Sequence, residues 1–246
     1  MKYVLSNRLI EFANRVAQIP GMKKLLSPIY FSFVKFIEKK RNSQFNKYGL
    51  DVLNRFHKVL SENGYEYTLA FGTLLGAIRE KGFIKHDFDI DVAMWAEDWS
   101  PQLQKCLEKA GFKLWHTFEV DKGKLGREET YVYNNVSIDI FYFYSPINKY
   151  PYCCDFTLYS DTPSHQLCMK KYGGCPCRRL ELPMIRNRVL TEFGSSKFYI
   201  PSNATEILEF RYGKSYMIPN PQWNINSYDN HIIEWKDEKG IYKEYT

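Results

Sequence analysis

Long apolar runs are missing from this 246-residue chain. No stretch approaches the roughly 18 consecutive apolar residues that a membrane-spanning helix needs, which excludes a bundle of such helices. The N-terminus also lacks a secretory pattern, because Asn7 and Arg8 interrupt the short apolar run after Lys2. That argues against a secreted protein and for a cytoplasmic one. No internal repeat or low-complexity tract is visible, and with 44% hydrophobic and 25% charged residues the chain reads as globular, not disordered. Aromatic residues reach 17%, enough to build a core and still line a pocket.

Negative charge is scarce at one end. Residues 1–41 hold nine basic side chains against only Glu11 and Glu38, while the whole chain carries +6, so the remainder is close to neutral. The basicity therefore belongs to an N-terminal extension, which argues against a nucleic-acid-binding body. Helical patterning over 1–19 and 28–41 places Phe31, Phe33, Val34, Phe36 and Ile37 beside these lysines and arginines. Either the helices pack on the body or they lie on an anionic membrane surface, on the inner face.

Further along, the pattern predicts a helix over 43–63 closed by Gly64, a strand over Tyr65–Phe71 and a short helix over Thr73–Lys81. Next come a strand over Phe88–Met94 and a helix over Asp98–Ala110. Strands follow over Phe112–Phe118, Glu129–Tyr133 and Val136–Tyr144, and Asn203 with Glu206 caps a last helix running to Tyr212. This order implies an α+β fold, a mixed sheet flanked by helices. The expected divisions are an extension over 1–42, a catalytic domain over 43–221 with a Cys-rich insertion near 150–180, and a tail over 222–246.

The chemistry is concentrated in two strands. Side chains alternate faces along a strand, so Asp87, Asp89 and Asp91 point one way and Phe88, Ile90 and Val92 the other. Three carboxylates on one face repel one another, and a divalent cation such as Mg²⁺ or Mn²⁺ bridging to a phosphate relieves this. The alternative is a solvated acidic edge. Asp139 stands alone in the apolar strand Val136-Ser137-Ile138-Asp139-Ile140-Phe141 and joins the same cluster if the two strands are neighbours, as metal ligand or general base. Gly72-Thr73, between a strand and a helix, reads either as a phosphate-approach turn or as an ordinary connection.

Gly72-Thr73-Leu74-Leu75-Gly76-Ala77-Ile78-Arg79, Gly82-Phe83-Ile84 and Asp87 through Asp91 together resemble the LicD family, which includes the fukutin-related proteins. Leu182-Pro183, Tyr199-Ile200-Pro201, Tyr212-Gly213 and Pro219 are similar to the family's C-terminal pattern, and the resemblance spans about 43–221. The chain departs from the family at Lys85-His86, where Pro-Trp is usual, and at Phe88, where Asp is usual. The resemblance implies a nucleotidyltransferase-like fold and transfer of a phospho-alcohol, phosphocholine or a polyol phosphate, from a CDP-activated donor to a sugar hydroxyl of a cell-surface glycan, lipid-linked or not, with CMP released. It implies Mg²⁺ on Asp89 and Asp91, with Asp139 completing the metal site or taking the proton. Arg79, His86, Arg178 and Arg179 are then substrate contacts, or ordinary surface residues. Two other readings stay open: a nucleotidyltransferase that consumes an NTP and releases pyrophosphate, and a non-enzymatic zinc-containing adaptor.

Cys153, Cys154, Cys168, Cys175 and Cys177 fall within one short segment with His165 among them. In a reduced compartment this clustering points to structural Zn²⁺ held by four of the six side chains, or to incidental thiols. The spacing matches no standard finger. Cys106 reads as a core residue of an amphipathic helix.

Overall fold

The computed structural model describes residues 22–85, 87–220 and 231–245. The first expected helix, residues 1–19, and the side chains of Phe31, Phe33 and Val34 lie outside the described residues. From residue 22 the chain forms one helix, α1 (Met22–Glu62), where two separate helices were expected. Tertiary contacts carry it through the expected break. Asn42 accepts from Asn46 one turn on (2.8 Å) and donates to the carbonyl oxygen of Lys85 (3.0 Å), which docks the helix mid-length. No helix among the described residues is long and apolar enough to cross a membrane.

The C-terminal half of α1 lays Phe45, Val52, Leu53, Phe56 and Leu60 into the main core. After it come β1 (Thr68–Leu69), α2 (Phe71–Arg79), β2 (Asp89–Trp95), α3 (Pro101–Lys109), β3 (Lys113–Val120), β4 (Gly126–Tyr133) and β5 (Val136–Phe143). The expected strand over 65–71 shrinks to two residues because Phe71 already opens α2. The other expected elements of this region appear with ends shifted by a few residues.

The segment expected as a Cys-rich insertion instead supplies β6 (Tyr152–Phe156), α4 (His165–Tyr172) and β7 (Cys175–Glu181). Then follow a separate hairpin of β8 (Arg188–Phe193) and β9 (Ser196–Pro201), the helix α5 (Ala204–Tyr212), and β10 (Ile232–Glu244). Asn203 gives α5 no side-chain cap; its amide donates to Pro183 O and to Glu206. The eight-stranded sheet runs β1-β2-β5-β4-β3-β10-β7-β6. Among the described residues, only β2 and β5 pair in parallel. The segment expected as a tail therefore joins the sheet as β10, which pairs with β7 over Ile232–Gly240 and with β3 over Ile241–Glu244. The sheet curls, and Tyr144, just past β5, exchanges two backbone hydrogen bonds with Tyr152 of β6 (2.8 and 3.2 Å).

The two faces of this sheet differ in kind. Ile90, Val92 and Met94 of β2 and Ile138, Ile140 and Tyr142 of β5 face α1 and the core, as the alternation requires. A deeply buried carboxylate sits on that face. Glu129, 4% exposed, accepts hydrogen bonds from Trp99 (2.8 Å), Arg127 (3.2 Å), Tyr131 (3.0 Å) and Tyr142 (3.1 Å). Arg127 lies over the Trp99 ring at 3.8 Å and pairs with Glu119 as well (2.9 Å). Every lone-pair direction of this buried charge is answered, which is the condition for tolerating it. Glu129→Ala should destabilise the fold by about 3 kcal/mol, the low end of the cost of breaking a buried pair because Glu119 still holds Arg127. Urea denaturation followed by circular dichroism measures it, and an unchanged midpoint would show that the four donors are satisfied without Glu129.

Candidate active site

The opposite face of the same strands carries the acidic residues. In the parallel β2–β5 pair, Asp91 lies directly beside Asp139 and Asp89 beside Ser137. Asp87 precedes β2, where Asn42 of α1 donates to its carbonyl oxygen (3.4 Å). The chain turn in front of α2 closes on the cluster. Gly72 N–H donates to Asp91 Oδ2 (3.2 Å), Ala70 N–H donates to Asp91 O (3.0 Å), and Asp91 N–H donates to the Thr73 hydroxyl (2.9 Å). A Cβ placed on Gly72 would stand 3.5 Å from Asp91 Oδ2 and 3.6 Å from both Asp87 oxygens, so the glycine leaves a cradle between the two carboxylates. Phe71, beside it, holds a left-handed φ of 41°, a costly conformation for an aromatic residue. Its ring is fixed edge-on against Phe141 of β5 at 4.7 Å.

Burial and like charge act together here. Burial first, and Asp89 next, push Asp87 up to about 7, and the same two causes push Asp139 up to about 7. Asp91 is raised well above its ordinary value by burial and then by Asp89, Asp139 and Asp87. Burial also raises Asp89, against the pull of Arg41. Asp87 Oδ2 is buried with no hydrogen-bond partner.

An orphaned carboxylate oxygen, an open cradle and an all-oxygen donor set fit a hard divalent cation. No three His, Cys, Asp or Glu side chains among the described residues are gathered closely enough to hold an ion as they stand. Mg²⁺ needs no such cage, because it ordinarily takes one or two carboxylates and completes its shell with water and substrate phosphate.

The other residues expected at the site have mixed fates. Thr73 is fully buried and its hydroxyl accepts from the Asp91 N–H, so it helps position the cluster. Arg79, at the far end of α2, bonds Glu80 (2.9 Å) and Tyr216 O (3.4 Å), with its charge felt at Asp87. Arg178 pairs with Asp155 (2.9 Å). The charge of Asp155 reaches Glu128, which also feels Asp139. Arg179 turns instead to the rings of Trp235 (5.1 Å) and Tyr152 (5.7 Å). His86 lies outside the described residues.

The expected zinc cluster does not assemble. Cys153 is in the main core, Cys154 and Cys177 pack with Val120 and Tyr152, and Cys168 and Cys175 pack with Phe118. The reason is topological: β6, β7 and α4 distribute these residues over both faces of the sheet. All five are buried free thiols. Burial raises Cys153 well above its ordinary value and brings Cys175 to about 12.

Four participants escaped sequence reasoning. Arg41 lies over the Phe88 ring (5.5 Å) and its charge lowers both Asp89 and Asp139. Thr130 of β4 donates to Asp139 Oδ1 (2.5 Å). Tyr212, at the end of α5, lies within the field of Asp91 and Asp87. Glu128 is raised well above its ordinary value by burial and then by Asp139. Only Thr130 had a usable signal, since pairing β4 with β5 sets it opposite Asp139.

Residues 64–167 match the family described as LicD/FKTN/FKRP, nucleotidyltransferase domain. The chain carries a LicD-family domain. The match covers the turn at Gly72, the Asp strand and Asp139, the same residues that the geometry brings together. Mouse "Ribitol-5-phosphate transferase FKTN" is 26% identical over 186 residues, 74% of this chain and 36% of that protein. "Lipopolysaccharide cholinephosphotransferase LicD" of Haemophilus influenzae is 46% identical over 50 residues, 20% of this chain and 19% of that protein. An uncharacterized Caenorhabditis elegans protein is 35% identical over 115 residues. The chain spans about a third of the length of the fukutin relative.

The raised carboxylates of the LicD domain set a pH dependence. A carboxyl whose folded value lies above its unfolded one stabilises the fold while protonated, and that contribution is lost as pH rises through the folded value. In EDTA the melting temperature should therefore fall between pH 5 and pH 8, passing through the value of about 7 shared by Asp87 and Asp139. Adding Mn²⁺ at pH 8 should restore it, because a ligand that binds only the folded state stabilises it. Scanning calorimetry on this grid decides the point. A melting temperature that rises toward pH 8 in EDTA would contradict the electrostatics.

Proposed function

We propose that this protein is a metal-dependent transferase. It moves a phospho-alcohol, of the phosphocholine or polyol-phosphate kind, from a CDP-activated donor to a sugar hydroxyl of a glycan and releases CMP. The observation that carries this reading is the register of Asp91 against Asp139, with the Gly72 turn closing over them inside a LicD-family domain. The two named relatives, a ribitol-5-phosphate transferase and a cholinephosphotransferase, move phosphorylated alcohols, which supports the reaction class.

In the reaction the acceptor hydroxyl forms a new P–O bond to the distal phosphorus of the donor. The anhydride P–O bond to CMP breaks, and the hydroxyl proton passes to a base. Asp89 and Asp91 would hold Mg²⁺ or Mn²⁺, which when bound neutralises the diphosphate and the charge on the departing CMP. Asp139 completes that site or takes the proton. Its position in the row suits both roles, and its Oδ1 is already engaged by Thr130, which leaves Oδ2 to act. Arg41 supplies positive charge at the same place, where the phosphates of a nucleotide donor have to come.

Asp89→Asn and Asp91→Asn should each lower turnover at least about 100-fold, the scale of losing a group that stabilises transition-state charge, while circular dichroism stays unchanged. Incubation with a panel of CDP-alcohols and glycan acceptors, analysed by mass spectrometry, should show CMP formed in step with a phosphodiester product. Pyrophosphate from an NTP would identify a nucleotidyltransferase instead. Full turnover in EDTA would remove the metal from the mechanism.

A further inference from the structure

A polar row crosses the sheet at right angles to its strands. Register places Asp91 of β2 beside Asp139 of β5, Asp139 opposite Thr130 of β4, Thr130 opposite His116 of β3, and His116 opposite Glu244 of β10. Directly paired residues share a face, so these five side chains line up from the acid cluster to the C-terminal strand. Two of the steps are close hydrogen bonds. The Thr130 hydroxyl donates to Asp139 Oδ1 (2.5 Å), and it lies 3.0 Å from His116 Nε2. A hydroxyl has one proton to give. With that proton on the bond to Asp139, the Thr130 oxygen must accept from His116, which puts the ring proton on Nε2.

Three further observations support this tautomer and its purpose. Burial pulls His116 down to about 3, so the ring is neutral at any working pH and carries a single proton. Its Nδ1 is buried with no hydrogen-bond partner, so Nε2 is the nitrogen by which the ring is anchored. The β3–β4 register also slips between Leu114 and His116, and an irregularity of this kind re-aims the side chain that follows it. The ring is then clasped by Trp115 (4.5 Å), Phe118 (5.5 Å) and Tyr242 (5.5 Å). Beyond it Glu244 accepts from Gln166 (2.7 Å), which continues the polar row onto β10.

We propose that Thr130 and His116 are a positioning pair for Asp139: His116 orients the Thr130 hydroxyl, and Thr130 holds the Asp139 carboxylate in the rotamer it needs beside Asp89 and Asp91. The inference rests on reading the acid cluster as the cation and substrate site. Neither residue touches substrate. Partners behind a reacting or ligating carboxylate ordinarily matter by about 10- to 100-fold in affinity or rate.

The test uses the full chain with Thr130→Val, which keeps the shape and removes the hydroxyl, and Thr130→Ser, which keeps the hydroxyl. His116→Leu and His116→Gln form a second pair, because the Gln amide N–H reaches the place of Nε2. Turnover with the CDP-alcohol panel and Mn²⁺ affinity by electron paramagnetic resonance are both read, with melting temperature as the check on folding. Thr130→Val should lower kcat about 10- to 100-fold with donor KM within about twofold, or weaken Mn²⁺ by a similar factor. Thr130→Ser and His116→Gln should recover most of the loss. A fall in kcat with Mn²⁺ affinity intact assigns the base role to Asp139, and a fall in affinity assigns the ligand role; both support positioning. Wild-type kcat and Mn²⁺ affinity in Thr130→Val, while Asp139→Asn loses them, would overturn the pair and leave the transferase reading standing. If the wild type turns over no CDP-alcohol but Thr130→Val still weakens Mn²⁺, the transferase reading falls and the pair survives. Should Thr130→Val fail to fold, His116→Leu against His116→Gln carries the same comparison.

Discussion

Parallel pairing of β2 with β5 puts Asp91 and Asp139 side by side, and most of what surrounds them answers the cost of that juxtaposition. Two adjacent carboxylates with Asp87 and Asp89 next to them, all partly buried, repel one another and lose hydration at once. The protein offsets this locally by three means. The Gly72 N–H and the Thr130 hydroxyl donate to two of the carboxylates, Arg41 supplies positive charge, and the remaining cost appears as raised proton affinity. A site whose own residues leave it short of positive charge has a strong preference for cations, and that preference is what binding a metal with a diphosphate requires.

The same constraint explains why so much of the chain converges here. α1 contributes Arg41 and Asn42 from one end, and α5 contributes Tyr212 from the other. Strain is concentrated at Phe71, whose left-handed backbone turns Gly72 toward Asp91. A turn held in a conformation disfavoured for its residue persists only where surrounding contacts over-determine it. Here Phe141, one strand over, supplies the ring contact, and Asp91 supplies three backbone and side-chain hydrogen bonds.

How much of this was legible in the sequence follows from the range of the interactions. The alternation of Asp89, Ile90, Asp91 and Val92 is local, and it placed the acids on one face and the apolar residues in the core, as found. The role of Gly72 beside the acids was also visible in the order of the motifs. The fate of 150–180 was not, because closely spaced cysteines say nothing about which face of a strand each will take, and β6 and β7 separate them. β10 was missed for a related reason. Ile232–Glu244 is strongly charged and its register slips between Glu234 and Lys239, so it lacks clean alternation, yet it links β7 to β3 within the sheet. Arg41 sits 48 residues before Asp89 and joins it only because α1 runs unbroken past Asn42.

β4 shows how one strand can serve stability and chemistry separately. Glu129 faces the core with four donors around it, and none of its lone-pair directions is left unanswered. Its neighbours Glu128 and Thr130 are on the acidic face of the sheet, where Glu128 feels Asp139 and Asp155 and Thr130 holds Asp139. Adjacent residues on a strand point to opposite faces and reach different partners, so the hydrogen bonding of one face can be complete while the other is left incomplete. A fully paired carboxylate rigidifies the strand, and that rigidity is what allows the incompletely paired ones behind it to stay in place. The core network thus supports the acidic cluster: β4, paired with β3 and β5 and tied to the core by Glu129, is the fixed point from which Thr130 holds Asp139.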